Sequence, residues 1–168
     1  MTTARRLFFA LWPGPAALVV ATAAVHRFVP PGTGRPQRPD QLHLTLEFLG
    51  DVPPARLGSV LEVGEAVAGS ATPFEIVLDR LEHWQRPQVL CLTASVVPEP
   101  LATLVRSLRS ALAARGFDPE QRPFRAHLTL ARSDGVAAGR LVADRLVAAM
   151  DGREIPMRID RLALFQSV

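Results

Sequence analysis

Apolar and polar positions along the chain alternate between two periods, and the switches between them mark its elements. Residues 7–12 form a short apolar run closed by Pro13-Gly14-Pro15, which reads as a first strand. Residues 16–28 follow as an Ala-rich helix with Leu18, Val25 and Phe28 among its apolar positions. A Pro, Gly and Arg loop over 30–39 then leads to Gln41-Leu42-His43-Leu44-Thr45-Leu46-Glu47-Phe48-Leu49-Gly50. Here the period is two. Strict alternation sends His43, Thr45 and Glu47 to one face of a strand, and Leu42, Leu44, Leu46 and Phe48 to the other. Gly50-Asp51-Val52-Pro53-Pro54 ends that strand and opens a helix over 55–68.

Farther on, 73–81 and 88–97 read as an antiparallel pair of strands joined by the polar connection Glu82-His83-Trp84-Gln85-Arg86-Pro87. Leu101, Leu104, Val105, Leu108 and Leu112 recur at helical spacing, with Gly116 ending the helix. Arg106, Arg109 and Arg115 lie mostly off that stripe and read as a solvated face. A loop over 117–123 leads to Phe124-Arg125-Ala126-His127-Leu128-Thr129-Leu130-Ala131-Arg132, which repeats most of the earlier pattern. Ser133-Asp134-Gly135 breaks this strand, 137–150 reads as a helix, and 157–165 as a closing strand. The mixed order of strands and helices, with hairpin-like links, predicts an α+β fold rather than a doubly wound parallel sheet. If each His-x-Thr strand lies centrally in its own half, two lobes face each other across a cleft.

Length changes this picture little: 168 residues suffice for one two-lobed domain spanning 1–168 with a shared core. Composition excludes more. All nineteen basic residues are arginines, so a Schiff-base lysine, a Walker-type phosphate loop and a lysine-bound nucleotide are all ruled out. A net charge of +3 is compatible with a phosphate-bearing substrate. The single cysteine, Cys91, sits in an apolar run and reads as a core residue. Arg5 and Arg6 before an apolar run resemble a signal peptide, but the run stops at Pro13 too soon. No apolar segment reaches the roughly 18 residues of a membrane span. The expectation is a cytoplasmic monomer with no membrane association.

The repeated His-x-Thr pairs carry the chemistry. Splitting a phosphodiester without a metal needs a group to take a proton from the attacking oxygen and another to give one to the leaving oxygen. It also needs donors on the non-bridging oxygens. Histidine serves both proton transfers, because its ordinary pKa near 6.5 lets one copy be neutral while the other is protonated. A threonine two residues along projects its hydroxyl from the same face. A lone His-x-Thr is commonplace in half-buried strands; two copies at comparable places, each with Leu between and after, are not. Metal catalysis fits poorly, since only four histidines and one cysteine are present, with His26 in a predicted helix and His83 in a predicted loop. Ser133 and Ser167 lack an elbow motif for a nucleophile.

His43-Leu44-Thr45-Leu46 with its Glu47-Phe48-Leu49-Gly50 tail, together with His127-Leu128-Thr129-Leu130-Ala131-Arg132, resembles the 2H phosphoesterase superfamily. Specifically, it resembles the RNA 2′,3′-cyclic phosphodiesterases, also called 2′-5′ RNA ligases. The likeness covers nearly the whole chain, with Arg6-Leu7-Phe8-Phe9-Ala10-Leu11, Trp84-Gln85-Arg86-Pro87-Gln88-Val89-Leu90 and Leu162-Ala163-Leu164-Phe165-Gln166-Ser167 in the places of the family's opening strand, central hairpin and last strand. It implies two pseudo-symmetric lobes, each an antiparallel sheet with helices outside. It also implies metal-independent and cofactor-free hydrolysis of an RNA-terminal 2′,3′-cyclic phosphate to a 2′-phosphate. By the same resemblance His43 is the proton donor, His127 the proton acceptor, and Thr45, Thr129 and Arg132 hold the phosphate. Reverse ligation without ATP follows from microscopic reversibility. Ala126 departs from the family, which usually has proline there. Two alternatives stay open: a non-catalytic binder of RNA ends, and a phosphodiesterase for another cyclic phosphate such as ADP-ribose cyclic phosphate. Trp84, Phe9 and Phe48 are candidates to stack on a base, with Phe48 expected in the core instead, and Arg35 and Arg38 are candidate phosphate contacts.

Overall fold

The computed structural model describes residues 3–29, 31–32, 34–132 and 154–167. The helix expected over 137–150 and its preceding break lie outside them. In chain order the elements are β1 (Arg5–Leu11), α1 (Pro15–Phe28), β2 (Arg35–Pro36), β3 (Leu44–Val52), α2 (Pro54–Ser70), β4 (Phe74–Leu78), β5 (Arg80–Trp84), β6 (Val89–Thr93), α3 (Glu99–Ala114), β7 (His127–Arg132), β8 (Ile155–Ile159) and β9 (Leu162–Gln166). Each of the three α-helices among the described residues starts with proline in its first turn, where the missing N–H costs nothing. As expected, Gly116 follows α3 in the left-handed region, at φ 74°.

The strands form two principal antiparallel sheets, of order β3-β1-β9 and β2-β7-β6-β5, and a separate β4-β8 pair. The expected α+β, two-lobed arrangement is therefore present, with three corrections. First, the run 73–81 is two strands: Phe74–Leu78 pairs with β8, while Arg80–Trp84 pairs with β6. Glu82, His83 and Trp84 are thus strand residues rather than a connection. Second, the closing strand 157–165 is likewise two, broken at Asp160-Arg161, with β8 and β9 in different sheets. Third, the lobes are not sequential halves. The last strand β9 joins β1 in the first sheet, which leaves β3 at that sheet's edge, while β7 is internal to the second. Helices cross over as well, α1 packing on β7 and β8, and α3 on β3 and α2.

The core runs between the sheets and these helices. Leu7, Phe9 and Leu11 of β1, Leu44 of β3, Leu92 of β6, Leu128 and Leu130 of β7, and the Leu101, Leu104, Val105, Leu108 and Leu112 stripe of α3 are all buried in one cluster. Of the three arginines read as a solvated face, Arg106 and Arg115 make exposed ion pairs with Glu99 and Glu62. Arg109 does not. It turns inward to Glu47, which is 2% exposed.

Candidate active site

Both His-x-Thr strands carry an extra residue at the same place, and β3 carries a second at Leu49. In β3, Thr45 lies opposite Ala10 and Glu47 opposite Phe9, so Leu46 is the extra residue of a bulge. In β7, Thr129 lies opposite Cys91 and Ala131 opposite Leu90, so Leu130 is extra. A bulge resets the alternation of faces. Strict alternation would leave Glu47 and Ala131 beside the histidines. Instead both are buried, and the next residues, Phe48 and Arg132, come round to the histidine face. This overturns two expectations together: Glu47 is not on the His43 face, and Phe48 is not with the leucines but 62% exposed.

The two imidazoles are oriented by one local device used twice. The Nδ1–H of His43 donates to the carbonyl of Gln41 at 2.7 Å, and that of His127 to the carbonyl of Arg125 at 2.9 Å. A carbonyl oxygen only accepts, so the proton sits on Nδ1 and Nε2 is left to accept or donate. The Gln41 carbonyl is set by a short 3₁₀ turn over Pro39–Gln41, closed by Arg38 N–H donating to the Gln41 side chain. Burial is the main influence lowering both histidine pKa values, opposed in each case by the hydrogen bond to the carbonyl. The charges of His127 and Arg132 also lower His43, so these three groups share one electrostatic field. Strands β3 and β7 touch across the lobe boundary.

Around the imidazoles the lobes differ. His43 lies among aromatic rings, 5.1 Å from Phe8 and 5.7 Å from Phe165 between centroids, and Phe8 in turn contacts Phe48. His127 lies 4.6 Å from Trp84, whose Nε1–H donates to Glu82 at 2.6 Å. The Arg125 guanidinium sits over the Trp84 ring and also donates to Glu82. Trp84 is therefore held against His127. Phe9, 1% exposed, is core.

Thr45 and Thr129 are half-buried, each in register on the histidine face, and Arg132 is exposed at the end of β7. Arg35 lies opposite Arg132 in β2. Arg38 instead makes a two-pronged pair with Asp40. Cys91 is buried as expected, its thiol pushed up to about 12 by burial. Sequence reasoning missed Phe8, Phe165 and Glu82 as neighbours of the histidines. The strand parity of Glu82 with Trp84 was the available signal, obscured because the segment reads as a turn.

A family model described as the 2′-5′ RNA ligase superfamily matches residues 16–168. The chain belongs to that superfamily. Its relatives there include the RNA 2′,3′-cyclic phosphodiesterase of Escherichia coli K12, 35% identical across 79% of this chain and 74% of that protein. They also include the protein of that name from Thermus thermophilus, 32% identical across 96% and 81%. Among solved structures, E. coli LigT in apo form superposes with a TM-score of 0.77 at 25% identity, covering 99% of this chain and 90% of that one. E. coli LigT complexed with 3′-AMP gives 0.76 at 27%, covering 98% and 89%. The superfamily and the two-lobed fold expected from the paired motifs are thus borne out.

Proposed function

We propose that this chain opens a 2′,3′-cyclic phosphate, on an RNA end or a nucleotide, by metal-independent hydrolysis to a 2′-phosphate. The observation that carries the reading is the pair of imidazoles, each tied at Nδ1 and with no hydrogen-bond partner at Nε2 among the described residues, in a chain whose relatives are named RNA 2′,3′-cyclic phosphodiesterases. Water attacks phosphorus as its proton passes to Nε2 of His127. The bond from phosphorus to the 3′ oxygen breaks, and that oxygen takes the proton from Nε2 of His43. Thr45, Thr129 and Arg132 hold the non-bridging oxygens, where charge builds up. The leaving oxygen belongs to the ribose that carries the base, so the base falls on the His43 side, where Phe48 stands exposed above Phe8. The reverse reaction, joining such an end to a 5′ hydroxyl, uses the same groups.

Incubation with RNA ending in a 2′,3′-cyclic phosphate, in EDTA, tests this. Turnover is expected to persist and to yield a 2′-phosphate, and His43→Ala or His127→Ala each lowers kcat by about 10²–10⁴-fold. Full activity in both variants sinks the assignment. A 3′-phosphate product reverses the two histidine roles, and binding without turnover makes the chain an RNA-end binder.

A further inference from the structure

The two motifs match in sequence, but the charge around them does not. On the second sheet, Glu82 of β5, Thr93 of β6 and His127 of β7 share one face, with Thr93 directly opposite His127. The Glu82 carboxylate gathers three of the groups around His127. One oxygen accepts from the Thr93 hydroxyl at 2.9 Å; the other accepts from Trp84 Nε1–H at 2.6 Å and from Arg125 at 2.7 Å. Trp84 is the ring packed on His127, and Arg125 supplies the carbonyl that orients it. Although burial opposes the Glu82 charge, the hydrogen bonds from Trp84 and Thr93 and the Arg125 charge outweigh it, and the carboxyl stays ionised. His43 has no such partner among the described residues. It faces Phe8 and Phe165, and the charges acting on it are positive, from His127 and Arg132. Glu47, four residues after it, is turned into the core by the bulge, and Asp40, three residues before it, is paired with Arg38.

We propose that Glu82 is a positioning residue that commits His127 to the proton-accepting role, by framing its ring through Trp84 and Arg125 and balancing the positive charge it acquires. This rests on the phosphodiesterase reading. As the proton leaves water for His127 Nε2, the new imidazolium meets a fixed carboxylate. At His43 an imidazolium has only rings and positive charge for company, so it gives its proton up readily. Glu82 forms and breaks no bond. Other groups near His127 are Arg125 before the strand, Arg132 on it, Cys91 and Thr93 on β6, Arg80 on β5 opposite Thr93, Arg35 beside Arg132, and His43 across the boundary. The helix α1, packed on β7, carries the exposed His26 and Arg27. Of these described groups only Glu82 is anionic.

The test is an NMR titration of the histidine side chains in the full chain and in Glu82→Gln and Glu82→Asp, with the His127 signal identified by its loss in His127→Ala. In Glu82→Gln the His127 midpoint is expected to fall by about one pH unit while that of His43 holds. Glu82→Asp restores most of the shift. In parallel, the acidic limb of kcat/KM for a cyclic phosphate moves to lower pH, and kcat drops on the order of three- to tenfold with little change in KM. Trp84→Phe, which keeps the ring and loses the N–H, separates packing from charge, and leaves the midpoint nearly in place. An unmoved His127 midpoint in Glu82→Gln, or an equal fall at His43, overturns the proposal. The titration needs no turnover, so an inactive parent protein overturns the phosphodiesterase reading alone.

Discussion

Phe48 shows how far a single side chain is governed by its strand. A phenylalanine following Leu44 and Leu46 at even spacing belongs in a core, yet it is 62% exposed, with its ring 5.4 Å from that of Phe8. Exposing a ring this large forfeits burial worth about 1.5–3 kcal/mol, a loss that makes sense where the ring has a ligand to cover. Phe48→Ala is accordingly expected to change stability by under about 1 kcal/mol in thermal melts. The same substitution should raise KM for a cyclic phosphate by about tenfold, since stacking on a base contributes about 1–3 kcal/mol. A variant that melts much earlier, with KM unchanged, places Phe48 among the structural residues instead. Glu47 is the counterpart. Removed from the site by the same bulge, it accepts from Arg109 at 2.9 Å and from the Glu120 amide at 2.7 Å, and ties α3 and the loop before His127 to β3.

At the scale of elements, how closely α2 approaches the first sheet is set by Gly64. A Cβ there would stand 2.8 Å from Phe9 Cε1, and Phe9 is fixed in the core at 1% exposure. Two effects of Gly64→Ala compete. Alanine favours the helix by about 1 kcal/mol over glycine. Overpacking a filled core costs about 1–3 kcal/mol. Because the clash is with a ring that has nowhere to turn, the second is expected to win, with a net loss of up to about 2 kcal/mol and a lower melting temperature. A variant as stable as the parent means that α2 can move away from β1. Where strands end was less legible than where helices do. Helices carried proline starts and the Gly116 stop, whereas β4 and β5 follow each other with only Asp79 between, and only their different partners separate them.

For the molecule as a whole, pH acts through the paired histidines. Both imidazoles titrate below their ordinary value in the folded chain, burial being the main cause. Unfolded, each binds its proton near pH 6.5. Between the folded and unfolded values the unfolded chain holds more protons, so stability rises with pH through that window and falls as the pH drops from about 7. The carboxyls of Asp79, Glu82, Glu99 and Glu120, all held below their usual range, act in the same direction but nearer pH 4. Thermal melts should therefore shift downward between about pH 7 and pH 5, and less so in the double variant His43→Ala/His127→Ala. Equal slopes in the two proteins would assign the dependence to other groups.

The sequence by itself determined the paired motifs, the three described helices, the buried faces of the two motif strands as far as Leu46 and Leu130, and the superfamily. These are local: proline at a helix start, glycine at its end, and apolar residues at period two or 3.6 are readable without knowing what they touch. Only the tertiary structure decided which residues surround each histidine. An extra residue in β3 and in β7 changes parity, and whether Leu46 or Leu130 is extra depends on the register against β1 and β6, strands far away in the chain. That register brings Phe48 and Arg132 to the histidine face. The partner of β5 likewise turns an apparent loop into the strand that carries Glu82 to His127, and so makes two motifs of like sequence unlike in charge.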